Sequence, residues 1–265
     1  MDFYNSNAER EWGRLDLPLC KIEFASTLWL IDKYFPKGGR VCDIGGGPGR
    51  YTIELIRRGY HVTLFDLSVV EIQLARAQLD KLGLSAEQII VGDARDMSAL
   101  VSESFDAALL LGPMYHIVMP EERARVLQEL KRILKPQCPA IVAYLNSWGI
   151  MRTGIADLAH WYRDISTLRS MLNEHIFTGQ SLSGFTEAYW STPEVALDEI
   201  EKAGLQVISY AGAEGFAGGM GSPLERLASD DPEAYANVVQ VAAETCELGQ
   251  YRDSTDHLHI IVCKK

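Results

Sequence analysis

The chain contains no apolar run approaching the roughly 20 residues that cross a bilayer, so no spanning helix is expected. Met1-Asp2-Phe3-Tyr4-Asn5 lacks the basic-then-apolar form of a secretory leader, and cytoplasmic residence is the expectation. Cysteine is sparse. Its five residues (Cys20, Cys42, Cys138, Cys246, Cys263) are odd in number, scattered, and form no C-x-x-C pair. That pattern argues against structural disulfides and a zinc site. Basic charge is also short, with 25 Lys and Arg against 36 Asp and Glu, a net charge of −11. A broad nucleic-acid footprint needs clustered cations. The candidates, Arg57-Arg58 and the Arg123/Arg125/Lys131/Arg132 helix face, are interrupted by acids and read as solvated surfaces. The chain shows no internal repeat, low-complexity tract or disordered linker.

A further absence falls within the richest motif, Val41-Cys42-Asp43-Ile44-Gly45-Gly46-Gly47-Pro48-Gly49-Arg50-Tyr51. An apolar run ends in an acid, meets a glycine cluster and opens a helix-compatible segment, so a ligand can approach bare backbone. A dinucleotide fingerprint, G-x-G-x-x-G/A, requires a small last residue to seat the helix on the strand. Counting from Gly45 that residue is Arg50, and counting from Gly47 it is Thr52. Both count against a nicotinamide-dependent oxidoreductase.

At 265 residues, with 47% hydrophobic and 23% charged, the composition is that of one globular domain. Phe24, Leu28, Ile31 and Phe35 recur at helical spacing before Pro36-Lys37-Gly38-Gly39 stops the helix. Strands are expected at 40–44, 61–65, 88–91, 105–111 and 140–145, with helices at 50–58, 68–82 and 120–134 between them. Ser68-Val69-Val70-Glu71 fits a capping box. The alternation breaks at Asn146 and resumes at Thr192-Pro193-Glu194, with a helix to 203, a strand at 205–210, a glycine-rich loop at 212–221, a helix at 232–248 and a strand at 257–263. The expected fold is α/β: a doubly wound, mostly parallel seven-stranded sheet with helices on both faces. The chain divides into a helical arm or lid (1–39), a cofactor-binding core (40–146), an inserted acceptor lid (147–191) and the C-terminal part of the core (192–265). Ligands of such sheets lie at the carboxyl ends of the strands, where the polar signals fall.

The pattern Asp43-x-Gly45-x-Gly47-x-Gly49 resembles the first motif of class I, Rossmann-like S-adenosylmethionine-dependent methyltransferases. Residues 40–145 are similar to the type 11 small-molecule group through this motif, Leu64-Phe65-Asp66-Leu67-Ser68, Gly92-Asp93-Ala94 and Leu110-Leu111-Gly112-Pro113-Met114-Tyr115-His116. The resemblance implies S-adenosyl-L-methionine as cofactor and S-adenosyl-L-homocysteine as product. Asp66 would accept from the ribose hydroxyls, and Asp93 from the adenine amino group beside the Ala94 amide. Asp43 would orient the glycine loop and the ligand's ammonium, with Gly45, Gly47, Gly49, Leu67 and Leu111 completing the set. The segments 4–12 and 189–194 are similar too; in such proteins the arm often covers the cofactor. Tyr4 and Trp12 thus become candidate lid residues, or else pack the arm onto the core.

Transfer from a sulfonium is an in-line displacement that depends mostly on alignment and exclusion of water. Residues 112–116, after the fourth strand, should line the chamber. The [D/N]-P-P-[Y/F] motif of amino methyltransferases is missing here. His116 is a candidate base or a packing residue; Tyr115 positions the acceptor or packs over the cofactor. The aromatic insertion and the 212–221 loop are expected to form a mobile acceptor lid, the alternative being that the aromatics make a small core of their own. His160 and His175 have no companion at ligand spacing; His257-x-His259 places two rings on one sheet face, and no metal is expected. The sequence therefore reads as a methyltransferase acting on a small molecule, with the acceptor atom (O, N, C or S) open. No nucleic-acid or membrane partner is expected. A non-catalytic S-adenosylmethionine-binding regulator or assembly subunit is the alternative, ahead of a tRNA or protein methyltransferase.

Overall fold

The computed structural model describes the backbone of residues 2–157, 159–166, 168–169, 176–177 and 188–265, and their side chains apart from 2–7, 156–157, 161 and 176–177. Two helices, α1 (Asp2–Arg14) and α2 (Pro18–Tyr34), precede the alternating core. The core comprises β1 (Gly39–Ile44), α3 (Arg50–Arg57), β2 (Tyr60–Asp66), α4 (Val69–Leu82), β3 (Gln88–Val91), β4 (Ala107–Leu110), α5 (Pro113–His116), α6 (Pro120–Ile133) and β5 (Pro139–Asn146). Then follow α7 (Ser147–Asp157), β6 (Ile176–Phe177), β7 (Ala188–Ser191), α8 (Pro193–Lys202), β8 (Leu205–Gly212), α9 (Gly221–Asp230), α10 (Pro232–Thr245), α11 (Gly249–Arg252) and β9 (His257–Lys264). Among the described residues no helix is long and apolar enough to cross a membrane.

Backbone pairing orders the main sheet β3-β2-β1-β4-β5-β9-β8. Strands β1 to β5 run parallel, and β9 reverses between β5 and β8. The strand order switches direction between β1 and β4, which opens a crevice above their carboxyl ends. The expected sheet is thus present, its mostly parallel character interrupted at one strand. The β6–β7 pair joins it through the last two residues of β5, past the point where β4 ends.

Alternation along the strands sorts side chains to two apolar layers. Cys42, Ile44, Phe65, Leu110 and Ile260 face α6 and α8, with Leu130 and Ile200 across from them. Val41, Val62, Leu109 and Ile261 face α2 and α3, against Leu30, Ile31 and Leu55. Ala107 through Leu110 are all buried, as befits a central parallel strand covered on both faces.

Four local expectations change. The arm breaks at Leu17-Pro18 into two helices, and α2 buries Ile22, Glu23, Ser26, Thr27, Leu30 and Ile31 rather than the stripe through Phe24 and Leu28. A helix that turns polar residues inward has no clean apolar period. The 212–221 segment is no mobile lid: a Cβ on Gly215 would lie 2.1 Å from the Ala242 carbonyl oxygen, and one on Gly212 2.3 Å from Thr255 Oγ1. Its glycines permit close packing, and α9 begins at its end. The C-terminal helix ends at Thr245, with α11 a separate short turn.

Arg123 is the fourth, because it does not lie on a solvated face. It is 3% exposed and pairs with Glu199 of α8 through Nη2 (2.5 Å) and Nε (3.1 Å). Its Nη1 donates to the Ile117 and Val118 carbonyls, and its guanidinium lies 3.4 Å from the centroid of the Tyr189 ring. One side chain therefore ties α6, α8, β7 and the segment after α5, while Tyr144 and Tyr189 hydroxyls also donate to Glu199. Truncating one partner strands the other charge without its counterion. We expect Arg123→Met to lower unfolding stability by about 3 kcal/mol, read from urea midpoints at unchanged slope; a loss below about 1 kcal/mol would contradict the role given to this network.

Candidate active site

A cavity of about 660 Å³ lies above the carboxyl ends of β1, β2 and β4, within the volume range usual for small-molecule sites. Its floor is the β1–α3 turn. Gly45 has φ +73°, and a Cβ there would lie 2.5 Å from Pro113 Cδ, so only glycine lets the turn pass under α5. Gly49 caps α3 in a left-handed conformation, and the helix N-terminus points toward the crevice. Gly47 and Gly49 shape this turn from behind, while Gly45, Gly46 and Pro48 line the cavity.

Three carboxylates set the turn. Asp43 is fully buried; its Oδ2 accepts from Thr52 Oγ1 at 2.6 Å and its Oδ1 has no partner. Burial raises its pKa to about 6, against the opposing Thr52 hydrogen bond. Asp66, at the end of β2, accepts from Gly47 N (2.9 Å) and Ser68 N (2.7 Å) and so joins the glycine turn to the start of α4. Each oxygen keeps a lone pair for a ligand hydroxyl. Glu71 forms only half of the expected capping box: its amide donates to Ser68 Oγ, but Ser68 N is already engaged by Asp66. Its carboxyl lines the cavity with Oε1 unpaired, and burial, then Asp66 and Glu11, push its pKa to about 8.

Asp93 and Ala94 line the next stretch of wall, beside Phe65 and Leu67. Asp93 is gripped by Arg95 at 2.6–3.0 Å, which lowers its pKa; Arg95 Nη1 also bridges to both oxygens of Glu122. Leu111, Pro113, Tyr115 and His116 form the wall after β4. On the open side the arm supplies Glu11, Arg14, Leu15 and Glu23. Trp12 is absent from the lining. Its carbonyl accepts from Arg50 Nη1 at 2.8 Å, its ring lies 5.1 Å from that guanidinium, and Arg50 also pairs with Asp16. Trp12 anchors the arm rather than covering a ligand; the side chain of Tyr4 falls outside the described residues.

The far end of the cavity is built by Tyr51, Tyr115, Leu145 and His257. The rings of Tyr115 and His257 are 5.9 Å apart. His257 Nδ1 meets Glu214 Oε1 at 2.7 Å, and Glu214, 1% exposed, accepts through Oε2 from the amides of Asp256 and His257. Burial opposes charge on His257, but Glu23 and Glu214 outweigh it and raise its pKa to about 9. Burial likewise opposes charge on Glu23, yet Arg14, 2.9 Å away, takes it down to about 2. His259, behind them and fully buried, is pushed down to about 4 by burial and contacts Thr27 Oγ1 at 3.4 Å. Among the described residues no group of three or more His, Cys, Asp or Glu is placed to hold a metal.

Residues 41–137 match the family model of a methyltransferase domain. Over that stretch, a little over a third of the chain, the sequence is similar to methyltransferase domains. It is 30% identical over 117 residues to the tRNA 5-carboxymethoxyuridine methyltransferase of Escherichia coli, covering 44% of each chain. It is 28% identical over 145 residues to the ubiquinone biosynthesis O-methyltransferase of Stutzerimonas stutzeri, covering 54% of this chain and 61% of that one. The matches thus span less than two thirds of these relatives. The fold is similar to that of a solved S-adenosylmethionine-dependent methyltransferase from Methanosarcina mazei, with TM-score 0.60 at 19% identity, covering 89% of this chain and 96% of that one.

The solved structure it resembles is S-adenosylmethionine-dependent, and the residues around the cavity suit that cofactor. Unpaired buried oxygens on Asp43 and Glu71 border the cavity, and the glycine turn leaves its backbone uncovered. Asp43, Gly45, Asp66, Leu67, Asp93, Ala94, Leu111, Tyr115 and His116 are brought together around one cavity. The sequence did not point to Glu71, Glu23, Arg14, Glu214 or His257. The described insertion residues contribute little lining. Trp190, Met151, Tyr162 and Leu168 pack with Leu145 as a small separate core, and Trp148 is exposed. Trp161, Met171, His175, Phe177 and Phe185 fall outside the described side chains.

The raised pKa of Asp43 has a determinate sign. Burial favours its protonated form, so its contribution to the stability of the empty fold is present at low pH and lost as pH rises through about 6. A ligand ammonium against Oδ1 needs the ionised form instead. Affinity for S-adenosylhomocysteine is expected to fall as pH is lowered through about 6. Asp43→Asn should bind about tenfold more weakly and lose that part of the pH dependence; calorimetric titrations across the window check both, and an unchanged profile would refute the assignment.

Proposed function

We propose that the chain transfers a methyl group from S-adenosylmethionine to a small-molecule acceptor. The observation that carries this reading is the continuity of the cavity. The wall with Asp43, Asp66 and Asp93 passes without interruption into the end formed by Tyr51, Tyr115 and His257, while the arm covers the open side. A binding-only protein needs the first part and not the second. When bound, S-adenosylmethionine supplies an electrophilic methyl on a sulfonium. Asp66 holds the ribose diol, Asp93 and Ala94 the adenine edge, and Asp43 the ammonium. Tyr115 and His116, which line the same cavity, would border the methyl. Arm residues Arg14 and Leu15 keep water away from the reacting atoms, where alignment and dryness supply most of the rate.

The named relatives act on different acceptors, one on a tRNA nucleoside and one in ubiquinone biosynthesis. A net charge of −11 and the acids Glu11, Glu71, Asp93 and Glu122 along the cavity favour a small molecule over a polyanion.

Calorimetry should show S-adenosylmethionine and S-adenosylhomocysteine binding in the micromolar range, and Asp66→Ala should weaken both by at least about tenfold. No binding to the wild-type chain would sink the reading. Binding without label transfer from methyl-labelled cofactor, across a metabolite extract and a phenol, amine and thiol panel, would favour the non-catalytic alternative.

A further inference from the structure

Strand β9 is the reversed strand of the main sheet, so it starts where its neighbours end. In register, His257 pairs with Leu145 at the carboxyl end of β5. Its ring therefore arrives at the same edge as the cofactor-facing loops, and it lines the cavity with Tyr115. Nδ1 is committed to Glu214, whose second oxygen is fixed by two backbone amides. Nε2 has no protein partner among the described residues and is not sealed from the cavity. A buried carboxylate that fixes one ring nitrogen sets the tautomer and aims the other.

We propose that His257, held by Glu214, is the acceptor-binding group of this site, and that the acceptor is an aromatic or enolic oxygen acid bound as its oxyanion to the Nε2–H. This rests on the methyl-transfer reading and names its substrate class. Tyr51, Tyr115 and Leu145 supply flat or apolar walls for a planar ring. The charged and titratable groups that face His257 come from every element around it: Arg14 from α1, Glu23 from α2, Tyr115 from α5, Glu214 after β8, and Asp256 and His259 from its own segment. Arg14 answers Glu23 at 2.9 Å, which leaves the Glu214–His257 pair to meet a ligand. The raised pKa of His257 agrees with an imidazolium that donates at neutral pH.

The balance of the step is simple. The acceptor releases its proton to solvent on binding. An oxygen lone pair then forms the bond to the methyl carbon while the carbon–sulfur bond breaks and its electron pair stays on sulfur. His257 keeps its proton throughout. The ether product carries no charge, so its hold on Nε2–H weakens and it leaves. Glu214 is a positioning residue, since it acts through the ring.

Two coloured acids, 4-nitrophenol and 4-nitrocatechol, test this without turnover. Each is titrated with the chain saturated with S-adenosylhomocysteine, at a pH about one unit below the probe's own pKa, where about a tenth of the free probe is ionised, and the band is read above that background. At least one is expected to show the visible phenolate band on binding, and 4-nitroanisole should not displace it. His257→Asn should abolish the band, and Glu214→Gln should weaken probe binding about tenfold, with S-adenosylhomocysteine affinity unchanged in both. His257→Gln, which keeps a neutral donor, should bind the probe in its protonated, colourless form. The proposal is overturned if the wild-type chain binds S-adenosylhomocysteine but ionises neither probe, or if His257→Asn keeps the band. Should any variant fail to fold, displacement by 4-nitroanisole in the wild-type chain decides alone, because competition by the neutral ether means the charge is not being read. Failure to bind S-adenosylhomocysteine would instead remove the underlying reading.

Discussion

Asp66 accepts one hydrogen bond from Gly47 N and one from Ser68 N, so a single carboxylate joins the two loops that make the cavity floor. The glycine turn cannot shift without dragging the start of α4, and α4 carries Glu71 into the wall. This bridge exists because β1 and β2 are parallel neighbours in register, with Ile44 opposite Phe65, and both chains leave the sheet at the same height. Two backbone donors stabilise charge on Asp66, yet burial still leaves its pKa above the ordinary carboxylate value. The group is thus prepared for further donors such as ligand hydroxyls, which bring it toward full ionisation.

The cofactor half of the site was legible in the sequence because its signals are local. Glycine spacing, an acid at a strand end and a Gly-Asp dipeptide each sit within a few residues of the backbone they shape, and the alternation of strands and helices gathers them on one edge. The acceptor half was not legible, for three physical reasons. Glu23 faces inward from a helix whose buried side is polar, so an apolar period cannot reveal it. Glu214 lies among glycines that look like a flexible loop but serve close packing against Thr255 and Ala242. His257 opens the reversed strand, where inspecting the carboxyl ends of parallel strands never looks. Arg123 shows the same limit outside the site: a helix face with several cations looks solvated until the partner acid on α8, 76 positions away, is brought against it.

The two ends of the cavity also differ in electrostatic style. Around Asp43, Asp66 and Glu71, burial dominates and carboxyl groups are held toward protonation. Around Arg14, Glu23, Glu214 and His257, opposite charges interleave, and Arg14, Glu23 and His257 are kept ionised by their neighbours. A cationic cofactor suits the first environment, since its charge compensates acids that have none of their own. In the second environment Arg14 answers Glu23, and the imidazole of His257, held by Glu214, is the donor turned toward a ligand's oxyanion.

Arg50 occupies the place where a dinucleotide-binding helix needs a small residue, and its side chain reaches out of the site to Asp16 and the Trp12 carbonyl. The Asp16 end of that clasp lies in solvent, with its side chain 59% exposed, whereas the 212–221 segment is held by packing against Ala242 and Thr255. Exposed ion pairs are screened by salt and packed glycines are not. Raised ionic strength therefore loosens the arm's clasp and leaves the glycine packing behind His257 in place.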